Sequence, residues 1–144
     1  MQGSLVGTWK LVSASSSTAS GERNDTPFGT SPAGFLTYSP DGRVTAMISY
    51  GGRKHLSSSD SVLAAVEEQA EAFRTFVAYA GRYTLDGDKV IHHVEISSIQ
   101  DWVGMDLIRS IKFAGERIVL ATSPTLDGGK IQTFVLIWQR LPGR

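Results

Sequence analysis

Short stretches in which apolar and polar residues alternate recur along almost the whole chain, separated by segments rich in Gly, Asp, Ser and Pro. Alternation with a period of two is typical of β-strands that bury one face. The pattern predicts eight strands, at residues 5–14, 34–39, 43–50, 77–86, 89–97, 105–114, 116–122 and 131–141. Strand signals continue without a break in composition and no internal repeat is visible, so residues 1–144 are expected to form one domain.

One segment follows a different period. Between positions 60 and 77, apolar residues recur three or four positions apart: Leu63, Val66, Ala70, Phe73 and Val77. This spacing places them on one face of an α-helix, and Ser or Asp side chains at positions 58–60 can cap its first turn. The sequence therefore predicts one α-helix between the third and fourth strands, anchored against the barrel by Phe73.

The connections between the strands alternate between short and long. Tight turns with the sequences SPDG, DGDK and AGER follow the second, fourth and sixth strands. The other connections are long, and the first of them contains a Ser-rich run at residues 13–22 that is expected to be a flexible loop. In sequential antiparallel strands, alternate connections share one end, so the long loops gather around one rim. The sequence thus predicts an all-β fold, an eight-stranded antiparallel up-and-down barrel with a mouth.

Two motifs near the ends of the chain resemble known ones. GTWKLV, which starts at Gly7, resembles the Gly-x-Trp motif on the first strand of lipocalins, and WQR, which ends at Arg140, resembles the last-strand region that supplies an Arg to pack on that Trp. With VAYAGRY, HHVE, DWVG and DLIRS, the chain resembles the bacterial and fungal lipocalin-like domain family, a group of calycin-type barrels. The resemblance implies the barrel but little about chemistry. It also predicts that Trp9 and Arg140 stack at the closed end.

Two of the three histidines, His92 and His93, are adjacent, so on a strand they point to opposite faces. Val90 and Val94 share the face of His92, which predicts that His92 is inside the barrel and His93 outside. If the DGDK segment forms a two-residue turn, Tyr83 lies opposite His92. On the next strand Arg109 shares the more apolar face, and one register that agrees with this alternation places it opposite His92 as well.

The predicted row of Tyr83, His92 and Arg109 has two interpretations. It is either a ligand anchor or catalytic group inside an apolar lumen, or a buried polar network that satisfies itself. Further candidates for ligand contact are Tyr79, Tyr38, which shares a face with Leu36, and Trp102 in a mouth loop, where it can stack on a ligand.

Two main functions follow from this site. The first is the binding of a small hydrophobic or aromatic molecule with a polar handle. The alternative is a cofactor-independent isomerase, cyclase or dehydratase of secondary metabolism that uses His92 and Arg109, with Tyr83 as a hydrogen-bond donor. A filled barrel that serves protein interaction stays open as a third interpretation.

Composition narrows the classes of partner, cofactor and cellular location that remain. Fourteen basic residues balance fourteen acidic ones without a basic cluster, so nucleic acid is not expected as a partner. The chain has no cysteine, its histidines at 55, 92 and 93 lack a metal-ligand spacing, and no Gly-rich phosphate loop opens a helix, so neither a metal nor a cofactor is expected. The absence of a leader pattern and of a long apolar run predicts a cytoplasmic protein that does not enter a membrane. A homo-oligomer is compatible with the sequence.

Overall fold

The computed structural model describes residues 4–143. Within that range it contains one α-helix, α1 (Val66–Arg74), and single 3-10 turns at Ser61–Leu63 and Gln100–Trp102. The strands are β1 (Gly7–Thr18), β2 (Arg23–Asn24), β3 (Ala33–Tyr38), β4 (Arg43–Ser49), β5 (Phe76–Asp86), β6 (Lys89–Ser97), β7 (Asp106–Ala114), β8 (Arg117–Thr122), β9 (Thr125–Asp127) and β10 (Lys130–Arg140).

Eight of the strands close into an antiparallel barrel. The sheet order runs β1, β3, β4, β5, β6, β7, β8 and β10, and β10 pairs with β1 to complete the ring. The short strands β2 and β9 only extend the hairpins at the ends of β1 and β10. The predicted all-β barrel with one helix between its third and fourth strands is confirmed, since α1 lies between β4 and β5.

The closed end of the barrel is built around Trp9, which is completely buried. The guanidinium of Arg140 lies 4.2 Å from the centre of the Trp9 ring system, and the Trp9 indole N–H donates a 3.0 Å hydrogen bond to the carbonyl of Leu5. Gly7 has a φ of +138°, and a Cβ there would lie 2.8 Å from Nη1 of Arg140. Glycine suits this position because other residues rarely adopt this φ and because a Cβ would displace the guanidinium. The predicted stack is confirmed.

The first strand is longer than predicted. Instead of ending at residue 14, β1 continues through the Ser-rich run to Thr18, where it pairs with Gln132 of β10. The backbone of β10 satisfies the hydrogen bonds of this extension, and Ser16 is buried. The chain turns only at residues 19–21, where Gly21 donates a hydrogen bond to the carbonyl of Thr18. Residues 13–18 of the run thus belong to a strand and not to a flexible loop, and a turn follows them.

The helix is shorter than predicted and packs differently. The extended backbone of Ala64 and Ala65 separates the 3-10 turn from α1, and Val77 belongs to β5, where it pairs with Ile48. The apolar face does not pack into the core, since Val66 is 77% exposed and Phe73 is 52% exposed. None of the described helices is long and apolar enough to cross a lipid bilayer.

Candidate ligand-binding site

The barrel encloses a cavity of about 380 Å³, within the range of small-molecule sites. Its wall is formed mainly by apolar and aromatic side chains, which include Phe28, Leu36, Ala46, Val77, Trp102, Leu107, Leu120, Phe134, Leu136 and Trp138. Four exposed apolar side chains also line it, namely Met47, Phe73, Met105 and Leu126. Of these, Phe73, Met105 and Leu126 mark the entrance. Polar groups reach the cavity from a few positions, chiefly Tyr79, His92 and Arg109.

His92 lies inside the barrel and is 1% exposed, so the predicted direction of its side chain is confirmed. Both ring nitrogens are hydrogen-bonded to tyrosine hydroxyls. Nε2 lies 2.7 Å from the hydroxyl of Tyr38, and Nδ1 lies 2.6 Å from the hydroxyl of Tyr79. His93 faces outward, where it contacts Asp106 and Thr84.

The environment keeps His92 neutral. Burial, the positive charge of Arg109 and, to a smaller extent, His93 lower the pKa of His92 from its ordinary 6.5 to about 3. Burial also raises the pKa values of Tyr38 and Tyr79, so both phenols stay protonated. A neutral imidazole has one N–H donor and one acceptor nitrogen. One tyrosine therefore donates to His92 and the other accepts from it.

The surroundings of Tyr38 decide which tyrosine donates. Tyr38 is 1% exposed and does not line the cavity, and His92 Nε2 is the one hydrogen-bond partner of its hydroxyl within residues 4–143. If Tyr38 accepted from Nε2–H, its own proton would be buried without a partner, which costs about 1–3 kcal/mol. Tyr38 therefore donates to Nε2, and His92 Nδ1–H donates to Tyr79. The proton of Tyr79 is then free to point into the cavity.

Arg109 is the second donor at this end of the cavity. It lines the lumen, and within the described part of the chain it forms no salt bridge and only a 3.5 Å hydrogen bond to the neighbouring carbonyl of Ile108. Burial raises the pKa of Tyr79, but the positive charge of the nearby Arg109 acts to lower that pKa. Arg109 therefore lies close to the Tyr79 oxygen with donors to spare.

The register between β6 and β7 differs from the one predicted. Arg109 pairs with Val90, while Leu107 lies opposite His92. The loop between these strands contains the 3-10 turn at Gln100–Trp102, and hydrogen bonds from Val94 N–H to Met105 and from Gly104 N–H to Val94 fix the pairing two residues away from the predicted one. A shift of two residues preserves the face, so Arg109 still points inward.

Tyr83 lies opposite His92, which confirms the predicted pairing across the turn. Its hydroxyl nevertheless makes no hydrogen bond to His92, and its ring packs edge-on against Tyr38 with ring centres 4.8 Å apart. It is half-buried and does not line the cavity. The predicted row of Tyr83, His92 and Arg109 is thus replaced by a chain from Tyr38 through His92 to Tyr79, with Arg109 beside it.

Aromatic side chains crowd the mouth. Trp102 lines the cavity and meets Tyr79 edge-on at 5.9 Å. Phe28 stacks on Phe134 at 5.8 Å and lies 5.2 Å from Tyr50, and its loop is tied down by a hydrogen bond from Gly51 N–H to the Phe28 carbonyl.

Tyr50 and Asp127 add a second polar pair to the lining, at the outer end of the cavity. Burial raises the pKa of Tyr50, and the negative charge of Asp127 raises it further. Sequence reasoning did not assign Tyr50, Asp127, Phe134 or Trp138 to the site. Of these, Phe134 and Trp138 could have been predicted from strand alternation, since both share a face of β10 with Leu136. Tyr50 and Asp127 depend on how the loops fold over the rim.

Residues 6–141 match the family model for the lipocalin-like domain. The chain belongs to the lipocalin-like domain family. It is similar to the 4'-hydroxy-3'-methoxypropiophenone carrier protein ppsC of Aspergillus oryzae, with 34% identity over 100 residues, which cover 63% of this chain and 85% of the relative. No solved structure matches the chain.

Proposed function

We propose that this protein binds and carries a small aromatic molecule whose oxygen atom is held at the inner end of the cavity. The observation that carries the proposal is the convergence of two donors, the Tyr79 hydroxyl and the Arg109 guanidinium, inside a wall that is mainly apolar and aromatic. Such a site offers much apolar area for affinity and few polar groups for orientation. An oxygen acceptor on the ligand is the complement of these donors.

The size and the aromatic content of the cavity support a ligand built on an aromatic ring. A volume of about 380 Å³ lies near the lower end of the usual range, which favours a compact molecule. Trp102, in the loop between β6 and β7, and Phe134, on β10, both line the lumen. Aromatic pairs gain energy beyond the area that they bury, which favours an aromatic ligand beside these rings.

The relative in Aspergillus oryzae is named as a carrier of a phenolic aryl ketone. Such a molecule joins an aromatic ring to two oxygen groups at opposite ends, a phenol and a ketone. Both are chemically suited to the donors found here. We therefore propose a phenolic aryl ketone, or a close chemical neighbour, as the ligand class, and a small molecule of the cytoplasm rather than nucleic acid or a membrane as the partner.

An isomerase, cyclase or dehydratase that uses His92, Arg109 and Tyr83 has less support. Both nitrogens of His92 are engaged, and its pKa of about 3 removes it as a proton acceptor near neutral pH. Tyr83 does not line the cavity. Arg109 and Tyr79 could still polarise a carbonyl, but a positioned base is required to complete acid–base chemistry.

A titration that follows tryptophan fluorescence tests the binding function, because Trp102 and Trp138 line the cavity. The probe is 4'-hydroxypropiophenone, compared with propylbenzene, which has a similar apolar body but no oxygen. We expect saturable binding of the ketone and an affinity for propylbenzene that is lower by about tenfold or more, since hydrogen bonds to charged groups contribute about 1.5–3 kcal/mol.

Two variants that lose only a hydroxyl form a matched pair for the same titration. Tyr79→Phe removes the proposed donor and should weaken the ketone, whereas Tyr83→Phe, outside the cavity, should leave its affinity unchanged. Equal affinities of both variants and of the wild type would contradict the proposed site. Failure of the ketone to bind at all would contradict the function.

A further inference from the structure

The inner end of the cavity carries a net positive charge. His92 is neutral, Tyr79 is protonated, and Arg109 has no carboxylate partner within residues 4–143. The other cation in the lining, Arg74, lies at the rim and pairs with Glu71. A cation that faces an apolar lumen is costly unless an anion compensates it.

The strongest polar groups at the inner end are donors, and the Thr122 hydroxyl that lines the cavity opposite Arg109 already accepts from Phe134 N–H. The oxygen of Tyr79 already receives the Nδ1–H of His92 and lies beside the Arg109 guanidinium, which can only donate. A neutral phenol placed there would bring a further proton and would leave the charge of Arg109 without an anion. A phenolate brings none, and it can accept from Arg109 and from Tyr79 together. Hydrogen bonds to an ionised oxygen are roughly twice as strong as neutral ones.

The outer end has the opposite character. Asp127 contributes a carboxylate there, and Tyr50 contributes a hydroxyl that makes no hydrogen bond within the described part of the chain. A phenolate at this end would be repelled by Asp127. A ketone oxygen, in contrast, can accept from Tyr50. The two ends of the cavity therefore distinguish the two oxygen groups of a phenolic aryl ketone.

We propose that the cavity binds an acidic phenol as its phenolate, with the ionised oxygen on Arg109 and Tyr79 and the ketone toward the mouth. This inference rests on the proposed function. The phenol proton leaves for bulk water on binding, and no other bond changes. A para-acyl group delocalises the phenolate charge and makes the phenol more acidic than a tyrosine side chain, whose pKa is about 10. The site should therefore prefer para-acyl phenols to simple phenols.

Absorption spectroscopy of the bound ligand tests the ionisation directly. The phenolate of 4'-hydroxypropiophenone absorbs at longer wavelength than the neutral phenol and beyond the absorption of tryptophan. At a pH about one unit below the pKa of the free ligand, we expect the phenolate band to grow as protein is added, and the pKa of the bound phenol to fall by at least about one unit, or tenfold in the ionisation constant. Affinity should rise with pH and become constant above the pKa of the free ligand.

A methyl ether provides the matched ligand control. In 4'-methoxypropiophenone the oxygen cannot ionise, and we expect it to bind at least about tenfold more weakly, because the charge-assisted hydrogen bonds are lost. Arg109→Met should abolish the phenolate band while the apolar wall still holds the neutral phenol. If this variant does not fold, Tyr79→Phe serves instead, with a smaller phenolate band, and Tyr83→Phe should keep the band of the wild type.

The outcomes separate this inference from the function on which it rests. Fluorescence quenching without a phenolate band, together with equal affinity for the methyl ether, would overturn the phenolate and leave the carrier function intact. Failure of both probes to bind would overturn both.

Discussion

The hydroxyl oxygen of Tyr79 lies 2.6 Å from Nδ1 of His92, and this contact makes the tyrosine the last member of a hydrogen-bond chain that starts at Tyr38. His92 itself is a relay of fixed direction, because the buried hydroxyl of Tyr38 has no other acceptor for its proton within residues 4–143. Chains of this kind polarise their members, so each bond strengthens the next. Tyr79, the donor that we propose for the ligand, is thus supported by two residues, one of which does not line the cavity.

The first prediction concerns the tautomer of His92. We expect the proton on Nδ1 and a bare Nε2, because only this arrangement satisfies the buried hydroxyl of Tyr38. The ¹⁵N chemical shifts of the imidazole, measured by long-range ¹H–¹⁵N correlation near neutral pH, report the protonated nitrogen. Tyr38→Phe should remove this constraint and weaken ligand binding without a direct contact. An imidazole with its proton on Nε2 in the wild-type protein would contradict the direction of the chain.

The face of His92 could be predicted from the sequence because it depends on the local alternation of the strand. The two-residue turn before β6 also allowed the pairing of Tyr83 with His92 to be predicted. The partners of His92 depend on long-range geometry. Tyr38 comes from β3, and Tyr79 approaches across a bulge between Ala80 and Gly81. A Cβ at Gly81 would lie 1.8 Å from the carbonyl oxygen of His93, so only glycine allows this approach. Strand alternation identifies faces but not the side chains that meet across a curved barrel.

The helix shows a second limit of sequence patterns. Its apolar spacing was found correctly, but an apolar face predicts burial only where a core is available. Here Phe73 lines the cavity entrance, and Val66 is exposed. The sequence pattern did not predict the extension of β1, for a related reason. Serines have weak strand preference, and it is the partner strand β10 that holds Ser15 and Ser17 in place.

The second prediction concerns acid stability. His92 has a pKa of about 3 in the folded protein and about 6.5 when unfolded, so the unfolded state binds the proton first as pH falls. The contribution of His92 to the free energy of unfolding is therefore fully present above about pH 6.5 and is lost as the pH falls toward about 3. In this range the free energy of unfolding changes by up to about 1.4 kcal/mol per pH unit. His92→Gln should show a shallower pH dependence of the free energy of unfolding in urea.

His93→Gln is the control for this comparison, since it alters the neighbouring histidine on the outer face of the same strand. It shows what the loss of an outward-facing imidazole on the same strand does to the profile, against which the profile of His92→Gln is compared. If the free energies of unfolding of the wild type and of His92→Gln changed with pH in parallel, the buried imidazole would not be excluded from protonation.

The third prediction concerns the closed end. Trp9→Ala should destabilise the protein by about 3–5 kcal/mol, because it removes a fully buried ring and its cation–π contact with Arg140. Urea unfolding measures the loss. Trp102→Ala, at the mouth, should affect ligand affinity more than stability, since this ring is half-buried and lines the cavity. A loss below about 1 kcal/mol for Trp9→Ala would contradict the structural role of the stack.

The last prediction concerns the entrance. Phe73 lines the cavity yet is 52% exposed, whereas Val66, on the same helix, is 77% exposed and does not line it. A ligand that reaches the mouth should bury part of the Phe73 ring, and at about 25 cal/mol per Å² the loss of some tens of Å² of contact weakens binding by about 1 kcal/mol, or fivefold. Phe73→Ser should therefore lower affinity for 4'-hydroxypropiophenone by roughly this factor with little change in stability. Val66→Ser should change neither quantity. Equal affinities of the two variants would show that the ligand stays below the rim, and a large loss of stability in Phe73→Ser would show that the helix is anchored by this ring after all.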